Sequence, residues 1–214
     1  VMQYAENRAL RERVYQAYVT RASDANPVQP EFDNTRHMQS ILKAHQRLAA
    51  LLDTAMAQGA YVHVDAEQYS LLPITMEVFQ RVLTDTRYIN YPHIGIVLQA
   101  YLKDAEPRLR GLIKLAKDRG TPFSSRLVKG AYWDYEQAHA ERNNWPCPVF
   151  DHKEETDANY ERLIDLLLAN YPLVRPCIGG HNARPIAVAI ATAENYGIDK
   201  ADGEIQTHNG MAEH

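Results

Sequence analysis

With 214 residues and 45% apolar content the chain can bury a sizeable core, and 23 basic against 27 acidic groups leave a formal charge of -4. That balance carries no electrostatic footprint for nucleic acid, and no apolar run is long enough to cross a membrane. Cys147 and Cys177 match neither a disulfide framework nor a metal spacing, and the first residues lack the layout of a signal peptide, so a reducing, cytoplasmic setting is expected.

In chain order, residues 1–22 place Tyr4, Leu10, Val14, Tyr15 and Tyr18 among many charges, which predicts an amphipathic helix ending near Asn26-Pro27. A longer helix follows. Asp33 or Asn34 can cap it, Met38, Ile41, Leu42, Leu48, Ala49, Leu52 and Met56 recur at helical spacing, and Gly59 ends it. His45 falls on that stripe and reads as a packed histidine, since nothing four residues on completes a metal pair.

After Gly59 the period changes to that of a strand, Ala60 to Asp65, and from there strands and helices alternate. Helices are predicted from Pro73, from near Pro107 to Gly120, around Tyr160 to Leu167, and from Pro185 to about Tyr196. Strands are predicted at 94–101, 125–132, 173–178 and 203–207. Such alternation implies a parallel sheet with crossover helices. No glycine-rich nucleotide loop occurs, and each strand finishes on a polar or special residue: Asp65, Gln99, Lys129 with Tyr132, His181 with Asn182, and Gln206. Function at the ends of many strands predicts a (βα) barrel rather than a doubly wound sheet, which concentrates its ligand at one switch point.

Arg126 and Lys129 lie in or beside the third strand, and a cation in a dry core needs an anion. Two readings stay open at this point. Either the pair holds an anionic aromatic cofactor, with Gln99, His181, Asn182 and Gln206 as neutral donors, or it pairs with barrel carboxylates such as Asp65 and Glu204. Gly130 and Ala131 leave the backbone bare, and Tyr132 and Trp133 serve either as packing or as stacking faces. Asp65 either orients a cationic substrate amine or pairs with Arg126. A metal site built on His63, Asp65 and His181 lacks a second histidine pair.

The run Arg126-Leu127-Val128-Lys129-Gly130-Ala131-Tyr132-Trp133-Asp134-x-Glu136 resembles the signature of the proline dehydrogenase domain of proline utilization A proteins. Further stretches agree in order: Val64-Asp65-Ala66-Glu67-Gln68-Tyr69, Gly95 to Tyr101, Lys153-x-x-Thr156-Asp157-Ala158-Asn159-Tyr160, Gly180-His181-Asn182, and Glu204-Ile205-Gln206 with Gly210-Met211. The resemblance covers about residues 50–212. It implies a distorted (βα)8 flavin barrel that oxidises L-proline to Δ1-pyrroline-5-carboxylate, with hydride passed to FAD and electrons on to a membrane quinone. It further implies that Val97, Gln99, Arg126, Lys129, Gly130, Ala131, Trp133, His181, Asn182 and Gln206 line the FAD. Lys153 and Thr156 would reach its adenine side, and Asp65 and Tyr132 would face proline.

Departures from the family pattern are expected to matter. Five strands are visible against eight, the family's early lysine-bearing strand and final arginine-pair helix are missing, and polar His208-Asn209 replaces an apolar and aromatic pair. An incomplete barrel, impaired in turnover or reduced to a catalytically inactive scaffold, follows as an expectation. Residues 1–50, from Tyr4-Ala5-Glu6-Asn7-Arg8 to Phe32-Asp33-Asn34-Thr35, resemble a non-catalytic helical stretch of thimet and oligopeptidase A metallopeptidases, whose H-E-x-x-H motif is absent. The expected organisation is a helical segment, 1–52, joined to a proline dehydrogenase-like partial barrel, 53–214.

Overall fold

The computed structural model describes residues 34–207; the helix expected at 1–22 and the His208 to Met211 stretch lie outside them. Besides two short 3-10 turns, six α-helices and five strands follow in order, with two helices between the third and fourth strands: α1 (Asn34–Gln58), β1 (Val62–Val64), α2 (Leu72–Leu83), β2 (Ile94–Gln99), α3 (Ala105–Arg119), β3 (Phe123–Val128), α4 (Trp133–Asn143), α5 (Lys153–Leu168), β4 (Val174–Gly179), α6 (Ala183–Asn195) and β5 (Glu204–Gln206). All strand pairings are parallel, and the spatial order is the chain order, β1-β2-β3-β4-β5.

That order decides between the two α/β architectures. A doubly wound sheet must reverse its strand order somewhere to make its ligand crevice, and none of the described strands does so. Each step to the next neighbour in one direction is how a (βα) barrel wall is laid down.

Strand residues alternate between the two faces of the sheet. One face carries Val62, Ile94, Ile96, Leu98, Phe123, Leu127, Val174 and Ile178, which join Leu109, Leu112, Leu163, Ile164 and Leu167 of the helices in the main core. In-register neighbours fix the other face, with His63, Gly95, Ser124 and Arg175 in one row and Val97, Arg126, Cys177 and Glu204 in the next. This face is polar and contains glycine. In a flat sheet β1 and β4 would lie about 14 Å apart; yet His63 Nε2 on β1 comes within 3.8 Å of Cys177 Sγ on β4. The wall curls around its polar face, which is the inside of a barrel.

The elements start and stop for local reasons. Gly59 at φ 64° and Gly120 at φ 73° close α1 and α3 in the left-handed region. Pro73 and Pro107 sit in the first turns of α2 and α3, where no intrahelical N–H is lost. The Glu155 carboxylate accepts the His152 N–H, at 3.0 Å, in front of α5. The strand expected at 125–132 instead runs Phe123–Val128, because Gly130 turns the chain at φ 127°.

The stripe expected to bury α1 is narrower than its sequence. Leu48, Ala49 and Leu52 are buried, while Met38, Leu42 and Met56 stay exposed. Apolar residues spread beyond about 100° of arc leave the contact face when only one layer packs against a helix. The helix runs through residues 52 and 53 without a break.

Candidate active site

The C-terminal ends of the strands converge as the barrel reading requires. Asp65, just after β1, forms an ion pair with Arg126 of β3. Arg126 Nη1 also donates to Gln206 Oε1 of β5 at 3.5 Å. Lys129, one residue past β3, pairs with Asp157 of α5. Both cations thus have carboxylate partners, Asp65 as expected for one and Asp157, not Glu204, for the other. The Asp65–Arg126 pair is far from dry, with the Asp65 side chain 63% exposed against 24% for Arg126.

Gln99 is buried, and its amide Nε2 donates to the Ala66 and Glu67 carbonyls at 2.9 and 3.0 Å. It therefore grips the loop immediately after Asp65. Buried Glu136 of α4 grips the same loop further on, accepting the Tyr69 N–H at 2.8 Å, and the Tyr69 hydroxyl donates to Asp104 at 3.0 Å. Three elements hold the segment that carries Asp65. Glu136 and Asp157 lie in the signature stretches, where nothing local gives them a role; the signal that marks them is a carboxylate on each helix that follows β3.

Val97 is buried on the inner face beside Arg126. Gly130 has two reasons to be glycine: its φ of 127° is rarely adopted by L side chains, and an added Cβ would stand 2.5 Å from the Tyr101 ring. Gly95 is bare because His63 lies over it, with Cε1 at 2.5 Å from where a Cβ would be. Ala131 is exposed and Tyr132 half-buried at the start of α4. Trp133 is partly buried against the core, and its indole N–H donates to the Phe150 carbonyl at 2.8 Å. Thr156 is buried in the first turn of α5, and Lys153 is exposed at its start. Asn182 caps α6, accepting the Arg184 N–H at 3.1 Å, with half-buried His181 beside it.

Beneath the rim, burial and then the Arg126 charge hold the His63 imidazole below its ordinary range, so it is neutral. Burial, reinforced by the Glu204 carboxylate, lifts the Cys177 thiol to about 12. Cys177 and Cys147 are both free thiols.

The arrangement suits a large anionic ligand. Gly180 has open space where a Cβ would stand, the N-terminus of α6 follows it, and Arg126 keeps guanidinium N–H groups on a partly open face beside the Gln206 carbonyl.

A family model described as proline dehydrogenase matches residues 1–214. The chain belongs to the proline dehydrogenase family. The match includes residues 1–50, expected to resemble a metallopeptidase stretch and covered instead by this family. The chain is 30% identical to the bifunctional protein PutA of Escherichia coli (strain K12) over 186 residues, 86% of this chain and 14% of that protein. It is 28% identical to the human mitochondrial proline dehydrogenase 1, covering 84% of this chain and 30% of the relative. A crystal structure of proline utilization A from Bdellovibrio bacteriovorus, inactivated by N-propargylglycine, superposes with a TM-score of 0.81 at 42% identity, over 83% of this chain and 18% of that one. The chain thus spans a minor part of each relative's length, with the same (βα) barrel architecture.

Proposed function

We propose that this chain forms the flavin-binding wall of a proline dehydrogenase, taking part in FAD-dependent oxidation of L-proline to Δ1-pyrroline-5-carboxylate with electrons passed to a quinone. The observation that carries the reading is the convergence of Asp65, Arg126, Gln99 and Gln206 from four parallel strands on one partly open rim, in a chain of this family. Bound FAD would supply the hydride acceptor, which no side chain can.

The residues of the chain do the rest. Arg126, Gln99, Gln206, His181 and Asn182 offer donors and carbonyls to the cofactor, with Val97, Gly130 and Ala131 as the bare wall, Lys129 and Trp133 beside it, and Lys153 and Thr156 toward the adenine side. Asp65 and Tyr132 face proline. Asp65 balances the charge of the substrate's secondary ammonium and orients it, while Gln99 and Glu136 hold its loop still. Orientation and electrostatics are the protein's share of a hydride transfer.

The same reading divides the chain into a helical segment, 1–52, and the barrel portion, 53–214, the border being one of packing because α1 crosses it. It places the work in the cytoplasm with transient contact at a membrane surface, where a quinone is met; among the described residues no helix is long and apolar enough to cross a membrane.

One observation favours a second reading, an inactive scaffold: both rim cations, Arg126 and Lys129, already have carboxylate partners. Flavin decides between them. The purified chain is mixed with FAD, desalted, scanned in the visible and then given L-proline with an electron-accepting dye. Retained flavin colour and proline-dependent dye reduction are the expected results. Colour without dye reduction indicates impaired turnover, and a colourless, inert protein sinks the enzyme reading.

A further inference from the structure

The inner face carries a hydrogen-bonded line that crosses four strands. From β4, the Cys177 thiol donates to Glu204 Oε2 at 3.3 Å. From β5, Gln206 Nε2 donates to Glu204 Oε1 at 2.6 Å. The other end of that amide, Gln206 Oε1, accepts from Arg126 Nη1 of β3, and Arg126 meets Asp65 after β1.

A glutamine amide is nearly symmetric in shape, and its two flips present opposite chemistry to a neighbour. Arg126 is a pure donor. It tolerates the carbonyl of Gln206 and is repelled by the amide N–H2. The group on the far side favours the same flip at shorter range, because the Glu204 carboxylate accepts only and takes the Gln206 N–H at 2.6 Å against 3.5 Å for the Arg126 contact. Glu204 therefore holds the nitrogen end and turns the oxygen end to Arg126. Glu204 is fixed in turn on its second oxygen by Cys177, a thiol that burial keeps protonated and hence a donor at neutral pH.

We infer that Glu204 and Cys177 are positioning residues of the site, which lock the Gln206 amide so that its carbonyl faces the Arg126 guanidinium. The geometry stands without a cofactor; its consequence for flavin affinity rests on the reading proposed above.

The test uses the full chain. In isotope-labelled protein without flavin, the Gln206 side-chain amide protons exchange with solvent about tenfold more slowly than those of exposed Gln58, the protection given by one good hydrogen bond. Glu204→Gln, whose amide can accept from or donate to Gln206 and so no longer enforces one flip, removes most of that protection and weakens FAD binding about tenfold. The exchange of both residues, Glu204→Gln with Gln206→Glu, keeps the charge count and restores an acceptor opposite Arg126. It returns FAD affinity to within about threefold of the parent, a rescue that a merely structural role would not produce. Unchanged Gln206 exchange and unchanged FAD affinity in Glu204→Gln overturn the inference. If that variant does not fold, the parent decides, because exchange as fast as that of Gln58 overturns it equally. Lost protection in the variant, with a parent that takes up no flavin, supports the positioning role and sinks the flavin reading instead.

Discussion

Below β2 and β3, the Arg119 guanidinium is buried and donates to four carbonyls: Tyr88 and Tyr91 at 2.6 and 2.7 Å, Thr121 and Pro122 at 3.3 Å each. Above the same strands, Arg126 sits half-open, paired with an exposed carboxylate and one amide oxygen. Two arginines seven residues apart thus do opposite things. The lower one closes a seam between the loops entering β2 and β3, and burial depresses its pKa to about 10, still charged at neutral pH. The upper one retains N–H groups for a ligand. Barrels divide stability and function between their two ends in this way, and the division sets the expected size of each substitution.

Arg119→Ala should have the largest effect on folding. Removing a buried charged donor from four carbonyls costs about 3 kcal/mol, measured as a lower urea midpoint, with flavin affinity of the folded fraction unchanged. Gly130→Ala should come next, at about 2 kcal/mol for the strained φ and the displaced Tyr101 ring. Because it sits at the upper end, it should also lower flavin retention, and an effect on stability alone would blur the division.

Arg126→Met is the sharpest contrast with Arg119. Its carboxylate partner is 63% exposed and Arg126 itself partly open, so apo-protein stability should change by less than about 1 kcal/mol, while flavin retention falls steeply. A large loss of apo stability with normal flavin binding would move Arg126 to the structural side. Asp65→Asn should leave flavin in place and raise the proline concentration needed for half-maximal rate; bleached protein would contradict its role.

The smallest effect concerns His63. Its folded pKa lies below the unfolded value of 6.5, so the unfolded chain binds more protons in acid. The neutral ring's contribution is therefore present above pH 6.5 and is lost as the pH falls below it. His63→Gln should flatten that part of the urea-midpoint against pH curve; an unchanged slope would remove His63 from the inner-face network.

Much of the fold is legible in the chain because its signals are local. Gly59 and Gly120 mark helix ends, and the run at 94–98 is apolar for a strand-length stretch between breakers. The polar strand ends at Asp65, Gln99 and Gln206 point to a barrel rim before any coordinate is known. Partnership is where local signals fail. Lys129 and Asp157 lie 28 residues apart, across α4 and a loop, and nothing near Lys129 distinguishes Asp157 from Glu204 as its anion. Arg119 looks like an ordinary last-turn cation of α3, and its burial depends on loops from two other strands. The exposed Met38, Leu42 and Met56 show the converse, an apolar pattern broader than the face that found a partner.

By itself, the sequence determined the order and type of the elements, the polar ends of the strands and the family, since periodicity, breakers and ordered motifs are properties of the chain alone. Only the tertiary structure decided which residues meet. The curl of the sheet brings β1 within reach of β3 and β4 and turns Arg126 to Asp65, while the packing of α5 against the sheet turns Lys129 to Asp157. Curvature and register are summed over every strand, and so no short stretch of sequence carries them.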